Sequence, residues 1–239
     1  MPRPLARAVS RGLAAALTAA LLTVGTPTAD ARCATTPRGP ALLSPDAPVP
    51  AGGGVLVETH AGLADAAASP HAYALVVGGL AGAPEALAPG LVVYRVPAGA
   101  TSATLTDGPG TVRTVTVSGA KARALPAPKL KAITDYTKIS DDPRGLDSRT
   151  RTTVLLAGVP PAGAVALIAY DSRGTARTYA LVGAGAKTMV VYDHGRCDQH
   201  PPGMTGLRAG EKATVAWVDA AGIVGARSKP TVVRATTRT

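Results

Sequence analysis

Residues 210–228, the stretch that contains the only tryptophan of the chain, include a run in which Ala213, Val215 and Trp217 alternate with Thr214, Ala216 and Val218. Val215 and Trp217 fall on one face of a strand with this period of two, because successive strand side chains point to opposite sides. A polar turn at 219–222 ends in glycine, and Ile223 begins the return. The pattern predicts a β-hairpin at the core of a C-terminal domain, since the chain has no phenylalanine to share its aromatic packing.

Short runs of the same kind recur along the rest of the chain. In the N-terminal half they cover residues 54–58, 71–77, 91–96, 100–106 and 111–117. In the C-terminal half, before the hairpin, they cover residues 129–133, 152–156, 164–170, 175–182 and 187–192. Glycine, proline or polar turn residues bound these runs, and no stretch sustains the 3.6-residue period of a helix. The pattern predicts an all-β protein of two tandem antiparallel β-sandwiches.

Proline-rich and small-residue segments divide the chain into the two predicted domains. Residues 32–50 form an extended, proline-rich lead-in, and residues 51–119 form the first β-sandwich. Small residues, basic residues and two prolines at 120–128 form a linker. Residues 129–236 form the second β-sandwich.

Turn and strand residues of the second domain follow a characteristic order. They are Pro126-x-Pro128, a central strand at 164–170, Leu207-x-Ala-Gly-Glu211 before Trp217, Val-Asp-Ala-Ala-Gly at 218–222 and Ser-Lys-Pro at 228–230. This order resembles a fibronectin type III or immunoglobulin-like domain of exported bacterial proteins, and the opening of the first domain at 43–52 is similar. The resemblance implies adhesion, scaffolding or ligand binding instead of catalysis.

The first 31 residues predict a secretory signal peptide. Three arginines precede an apolar run at 12–24, and Ala29-Asp-Ala31 has the small-x-small pattern of a cleavage site. The run is shorter than the roughly 20 residues that cross a membrane, and no other stretch approaches that length. Arg32 directly before Cys33 argues against lipid modification. We therefore expect a cleaved leader and a secreted or periplasmic protein without a transmembrane segment.

The chain contains two cysteines, Cys33 and Cys197. An even count in an exported chain predicts one disulfide bond between them. It would tie the mature amino terminus to the second domain, and closing a loop of about 160 residues would stabilise the fold by on the order of 5 kcal/mol. An intermolecular bridge and a free thiol are the alternatives.

Charge narrows the range of partners. The net charge is +10, and removal of a leader with three arginines and one aspartate would leave +8. Such a balance favours attraction to anionic polymers. However, no run of five basic residues occurs and no aromatic residues interleave with the charges, so nucleic acid is not expected. The predicted partners are a protein or an envelope polysaccharide, with an anionic polymer as a further option.

One loop contains the residues that could support catalysis or bind a metal ion. The spacing of the four histidines matches no metalloprotease motif, and the motifs of serine hydrolases and phosphate-binding loops are absent. Asp193, His194, Asp198 and His200 lie within eight residues, and their imidazoles and carboxylates could coordinate a divalent metal. The favoured alternative is a solvated loop pinned by a disulfide at Cys197, which would then offer no thiolate ligand.

Export, strand spacing and the missing catalytic motifs together predict a function. We expect a non-enzymatic exported β-sandwich protein, without a cofactor, that binds or scaffolds at the cell envelope or outside the cell. The alternative is an exported metal-dependent hydrolase or metal-binding protein that uses the 193–200 loop.

Overall fold

The structure, a computed structural model, describes residues 41–59, 73–77, 80–82, 84–107, 110–139, 148–195 and 200–236. These ranges form strands and turns but no helix, and so contain no helix that could cross a membrane. The predicted all-β class is confirmed. The strands are β1 (Ala41–Leu42), β2 (Val49–Ala51), β3 (Gly54–Glu58), β4 (Tyr73–Val77), β5 (Leu80–Gly82), β6 (Glu85–Ala88), β7 (Leu91–Arg95), β8 (Ser102–Asp107), β9 (Gly110–Lys121), β10 (Leu130–Lys138), β11 (Arg149–Leu156), β12 (Ala164–Tyr170), β13 (Ala176–Leu181), β14 (Thr188–His194), β15 (Lys212–Asp219) and β16 (Thr231–Thr236).

Within the described ranges the strands form three sheets. A four-stranded sheet has the order β1-β3-β7-β6, and a five-stranded sheet has the order β2-β9-β8-β4-β5. A seven-stranded sheet has the order β13-β12-β15-β16-β10-β11-β14. Two pairs, β2 with β9 and β10 with β16, are parallel and depart from the antiparallel pairing that the sequence predicts. Parallel neighbours need a long connection, and both pairs join strands that are far apart in the chain.

The seven-stranded sheet curls until its two edge strands, β13 and β14, lie beside each other. The hydroxyl of Thr178 on β13 donates a hydrogen bond to the carbonyl oxygen of Val191 on β14. The result is a nearly closed barrel. Trp217 is 2% exposed and packs in its interior with Ile133, Leu167 and other aliphatic residues, which confirms the predicted core position.

The first strand and the turn of the hairpin predicted at 210–228 are confirmed, whereas the return segment from Ile223 forms no strand before β16 and pairs with β15 at a single bridge, between Val218 and Val224. An oxygen of the Asp219 side chain accepts hydrogen bonds from the backbone nitrogens of Ala221 and Ile223, at 2.9 and 2.8 Å, and so holds the turn. The returning chain then donates from the nitrogen of Gly225 to the carbonyl oxygen of Trp217 at 2.8 Å. Regular pairing resumes at β16.

Strand β3 is buried on both faces. Val55 and Val57 pack in one cluster with Leu105 of β8, whereas Leu56 points the other way and packs in a second cluster with Ile168 of β12. Alternation along a strand sends neighbouring side chains to opposite sides. The four-stranded sheet is therefore a layer between the five-stranded sheet and the barrel.

Two segments predicted as connections take part in this packing. The lead-in contributes β1, which pairs with β3, and most of β2. In the predicted linker, the carbonyl oxygen of Leu125 accepts a hydrogen bond from the nitrogen of Ala226 at 3.2 Å. The described residues all belong to one compact unit. The division into domains at 51–119 and 129–236, the immunoglobulin-like identity of those domains and the signal peptide stay predictions.

Candidate functional site

The predicted 193–200 loop begins at the end of β14, where Asp193 lies opposite Arg151 of β11. Nε and Nη2 of Arg149 donate to the two carboxylate oxygens of Asp193 at 2.6 Å each. Nε and Nη2 of Arg151 donate to one of those oxygens at 3.0 and 2.6 Å. Two guanidinium groups therefore engage this carboxylate, and both come from the neighbouring strand.

Burial and charge act in opposite directions on Asp193. Burial raises the pKa of its carboxyl, because an ionised group loses contact with water. Hydrogen bonds from Arg149 and Arg151, together with their positive charges, outweigh burial and hold this pKa below its usual value. Asp193 is consequently an anion at neutral pH and acts as a structural ion-pair partner.

Three rings cluster at the same end of β14. The ring centroid of Tyr192 lies 4.6 Å from that of His200 and 6.1 Å from that of His194, and the two imidazole centroids are 5.4 Å apart. Nε2 of His200 donates to the backbone oxygen of Asp193, 2.9 Å away. The fold thus brings Asp193, His194 and His200 together, as three members of the predicted cluster.

The fourth member, Asp198, lies outside the described residues, as do Cys33 and Cys197. In the part of the chain that the structure describes, no group of three or more histidine, cysteine, aspartate or glutamate side chains is arranged to hold a metal ion. Asp193 also directs its carboxylate to arginines. The metal site and the disulfide bond stay predictions.

A cavity of about 230 Å³ adjoins the three rings. It lies where β13 and β14 face each other, and Glu58 of β3 also reaches it. Aliphatic side chains form the rest of its wall. Its polar and aromatic lining consists of Glu58, Tyr179, Tyr192, Asp193 and His200.

Tyr179 joins the barrel to the four-stranded sheet at this cavity. Its hydroxyl donates to Oε1 of Glu58 at 2.7 Å and lies 3.3 Å from the carbonyl oxygen of Gly90. Burial raises the pKa of the Tyr179 hydroxyl, and the hydrogen bond to Glu58 and the negative charge of Glu58 raise it further. Tyr179 therefore keeps its proton and serves as a hydrogen-bond donor.

A close backbone approach fixes the neighbouring turn. A Cβ atom at Gly90 would lie 2.3 Å from Cγ of Pro201, so a larger residue would force the two segments apart. Pro201 lines the cavity next to His200. The contact sets the position of the chain that follows the 193–200 loop.

Sequence reasoning missed four residues of this site: Glu58, Tyr179, Arg149 and Arg151. Glu58 and Tyr179 are 121 positions apart and belong to no motif, so only the fold reveals their contact. The arginines did carry a signal. They occupy alternate positions just before the predicted strand 152–156, which places them on one face if that strand begins earlier.

No protein-family model matches the chain, and comparison with curated proteins finds no matching sequence. Function therefore has to be inferred from the chain's own residues.

Proposed function

We propose that the protein is a non-enzymatic exported β-sandwich protein that binds a partner or acts as a scaffold at the cell envelope or outside the cell. The supporting observation is the set of internal hydrogen bonds around the cavity. Tyr179 donates to Glu58, His200 donates to the backbone of Asp193, and Asp193 accepts from two arginines. A nucleophile or general base needs its reactive atom directed at a substrate, whereas these groups are directed at one another.

The origin of the lining residues supports the same proposal. Glu58 lies on the four-stranded sheet, and Tyr179 and Tyr192 lie on the two edge strands of the barrel. Because strands held by their sheets carry these side chains, the wall of the cavity is largely formed before a ligand arrives. A preformed site loses less conformational entropy on binding, which favours affinity.

Co-sedimentation of the purified full chain with isolated envelope fragments tests this proposal. We expect the protein in the pellet and no release of soluble sugars or peptides from the fragments. Release of such products in step with protein concentration would indicate turnover and contradict the proposal. Complete absence of the protein from the pellet would contradict binding at the cell envelope.

The dependence of binding on ionic strength distinguishes an anionic polymer from a protein or a neutral polysaccharide as the partner. Attachment to an anionic polymer through the net positive charge should weaken steeply between low and physiological ionic strength, because the screening length shortens to about 8 Å. Binding to a protein or a neutral polysaccharide should persist over that range.

A second candidate function, a metal-dependent hydrolase or metal-binding protein that uses the 193–200 loop, draws on the 5.4 Å spacing of the His194 and His200 rings. Metal analysis of the purified chain tests it. Stoichiometric zinc or copper that is lost in a variant carrying both His194→Ala and His200→Ala, but kept in His71→Ala, would support this candidate. Metal content below one-tenth of the protein in the unmodified chain would remove it.

A further inference from the structure

One carboxylate in the cavity wall lacks a positive partner among the described side chains. Oε1 of Glu58 accepts its hydrogen bond from the neutral hydroxyl of Tyr179. The ion pairs in the described ranges involve Glu85, Asp171 and Asp193, but not Glu58. A partly buried carboxylate without a cation has lost water without gaining a counter-charge, which favours a positively charged ligand.

Aliphatic and aromatic side chains surround this carboxylate. Leu181 and Val190, each 43% exposed, lie at the rim, and Met204 also lines the cavity. Contact with such side chains removes the surface of an alkyl chain from water, which stabilises its binding. Tyr192 and His200 add aromatic surface, and tyrosine rings attract ammonium groups.

The size of the cavity limits the ligand. Pockets for drug-sized molecules measure about 300–1,000 Å³, whereas this cavity measures about 230 Å³. It is therefore too small to enclose several sugar rings. A single short alkyl chain with one charged end matches both its volume and its lining.

We propose that this cavity binds a primary alkylammonium group, with the ammonium against the carboxylate of Glu58 and the alkyl chain along Leu181 and Val190. The proposal rests on the binding function proposed above and specifies its ligand chemistry. A free amine and a lysine side chain of a partner protein both present this group.

Calorimetric titration of the full chain at neutral pH and low salt tests the proposal with three probes: n-pentylamine, n-pentanol and Nα-acetyl-lysine methylamide. We expect pentylamine to bind at least tenfold more tightly than pentanol, which has the same length but no charge. Tighter binding of the lysine derivative than of pentylamine would identify a lysine side chain as the natural ligand. The reverse order would identify a free amine. Equal affinity for pentylamine and pentanol, or no binding of either amine, would overturn the proposal.

Glu58→Gln keeps an acceptor for Tyr179 and removes the charge, so it should abolish the preference for pentylamine. Asp46→Asn removes an exposed carboxylate that does not line this cavity, and it should leave the titration unchanged.

Leu181→Arg adds a cation at the partly exposed rim and should weaken pentylamine binding at least tenfold. Because Leu181 is exposed, the arginine should not prevent folding, so this variant tests the proposal even if Glu58→Gln fails to fold. Unchanged binding in a folded Glu58→Gln variant, or in Leu181→Arg, would contradict the proposal.

Envelope co-sedimentation separates this proposal from the broader one. If the amines do not bind but the chain still pellets with envelope fragments, the ammonium site is wrong and the binding function stands. If neither occurs, the ammonium site and binding at the cell envelope are both wrong.

Discussion

Asp193 and Glu58 are two carboxylates that line one cavity in opposite surroundings. Asp193 accepts hydrogen bonds from two guanidinium groups, whereas Glu58 accepts one from a phenol hydroxyl, which brings no positive charge. The first carboxylate stabilises the pairing of β14 with β11. The second remains available to a ligand, and this contrast is the basis of the site proposed here.

Asp193→Asn should remove a pH-dependent part of the stability. The pKa of Asp193 is lowered in the fold, so the unfolded chain, with an aspartate pKa of about 3.9, binds this proton more readily. The contribution is thus fully present above about pH 5 and is lost as the pH falls through the lower folded pKa. Because the ion pairs are partly exposed, we expect a loss of about 0.5–1 kcal/mol at pH 7.

Urea unfolding of the wild type and the variant between pH 2 and pH 7 measures this difference. Asp46→Asn is the matched control, because it also removes one carboxylate, but an exposed one that takes part in none of the ion pairs of the described ranges. A difference between wild type and Asp193→Asn that stayed constant with pH would show that the arginines do not lower the pKa of Asp193.

The sequence could reveal only those site residues that are neighbours in the chain. Asp193, His194 and His200 were predicted because they lie within eight positions. Glu58 and Tyr179 could not be predicted, because the pairing of two distant strands creates their contact. A single glutamate or tyrosine in a predicted strand, without a motif around it, does not indicate a binding site.

At the scale of the strands, the ends of apolar strands were predicted from the sequence more accurately than the ends of polar ones. The predicted strand 164–170 coincides with β12, whose side chains are all apolar, whereas β9 and β10 extend beyond their predictions through threonine, lysine and other polar residues. Strands β1 and β2 have two and three residues, too few to display a period. Their position depends on pairing with β3 and β9, which the local sequence does not encode.

The hairpin turn at Gly222 makes an element-scale contact that substitution can test. Gly222 has a φ of 72°, and a Cβ atom there would lie 2.4 Å from Cγ2 of Val93 on β7. Gly99 has a φ of 84°, but a Cβ atom there would meet nothing within 4 Å. Gly99→Ala should therefore cost about 1 kcal/mol from backbone strain alone, whereas Gly222→Ala should cost about 1–3 kcal/mol more from overpacking.

Chemical denaturation of both alanine variants measures the two losses. The excess in Gly222→Ala reports the contact between the turn and β7, since the backbone contribution is common to both. Equal losses would mean that the turn does not pack against the four-stranded sheet.

At the scale of the molecule, the four-stranded sheet shares apolar clusters with both of its neighbours. Leu56 packs with Ile168 and Val218 of the barrel, and Val55 packs with Leu105 of the five-stranded sheet. The sequence predicted two sandwiches joined by a linker, because alternation alone does not tell that both faces of β3 are covered. These shared clusters couple the two predicted sandwiches energetically. Unfolding the barrel or the five-stranded sheet would expose one face of the four-stranded sheet and so destabilise that sheet too.

Calorimetry should therefore show a single unfolding transition with equal calorimetric and van't Hoff enthalpies. Leu56→Ala should shift that whole transition, with a loss of about 2–5 kcal/mol from the cavity it leaves. Val112→Ala, at a side chain that is 42% exposed, should cost less than about 0.5 kcal/mol. Two transitions, of which Leu56→Ala moves only one, would show that the halves unfold independently.

The predicted Cys33–Cys197 disulfide joins two residues outside the described ranges, so it stays a prediction. Ala41 is the register partner of Glu58, and Glu58 lines the same cavity as His200, three positions after Cys197. Cys33 lies eight positions before Ala41, and an extended chain of eight steps spans at most roughly 26–29 Å. The predicted bond therefore requires the segment around Cys197 to lie within that distance of Ala41.

Peptide mapping under non-reducing conditions should yield a cross-linked Cys33–Cys197 peptide from monomeric protein. Reduction should lower the stability of the wild type by about 2–5 kcal/mol, because the unfolded chain regains the freedom that the closed loop had removed. A variant with both Cys33→Ser and Cys197→Ser should not respond to reductant. Free thiols or a disulfide-linked dimer would contradict the intramolecular bond. Residues 41–51 are also held by the pairing of β1 with β3 and of β2 with β9 and by hydrogen bonds of Ser44, none of which requires the disulfide.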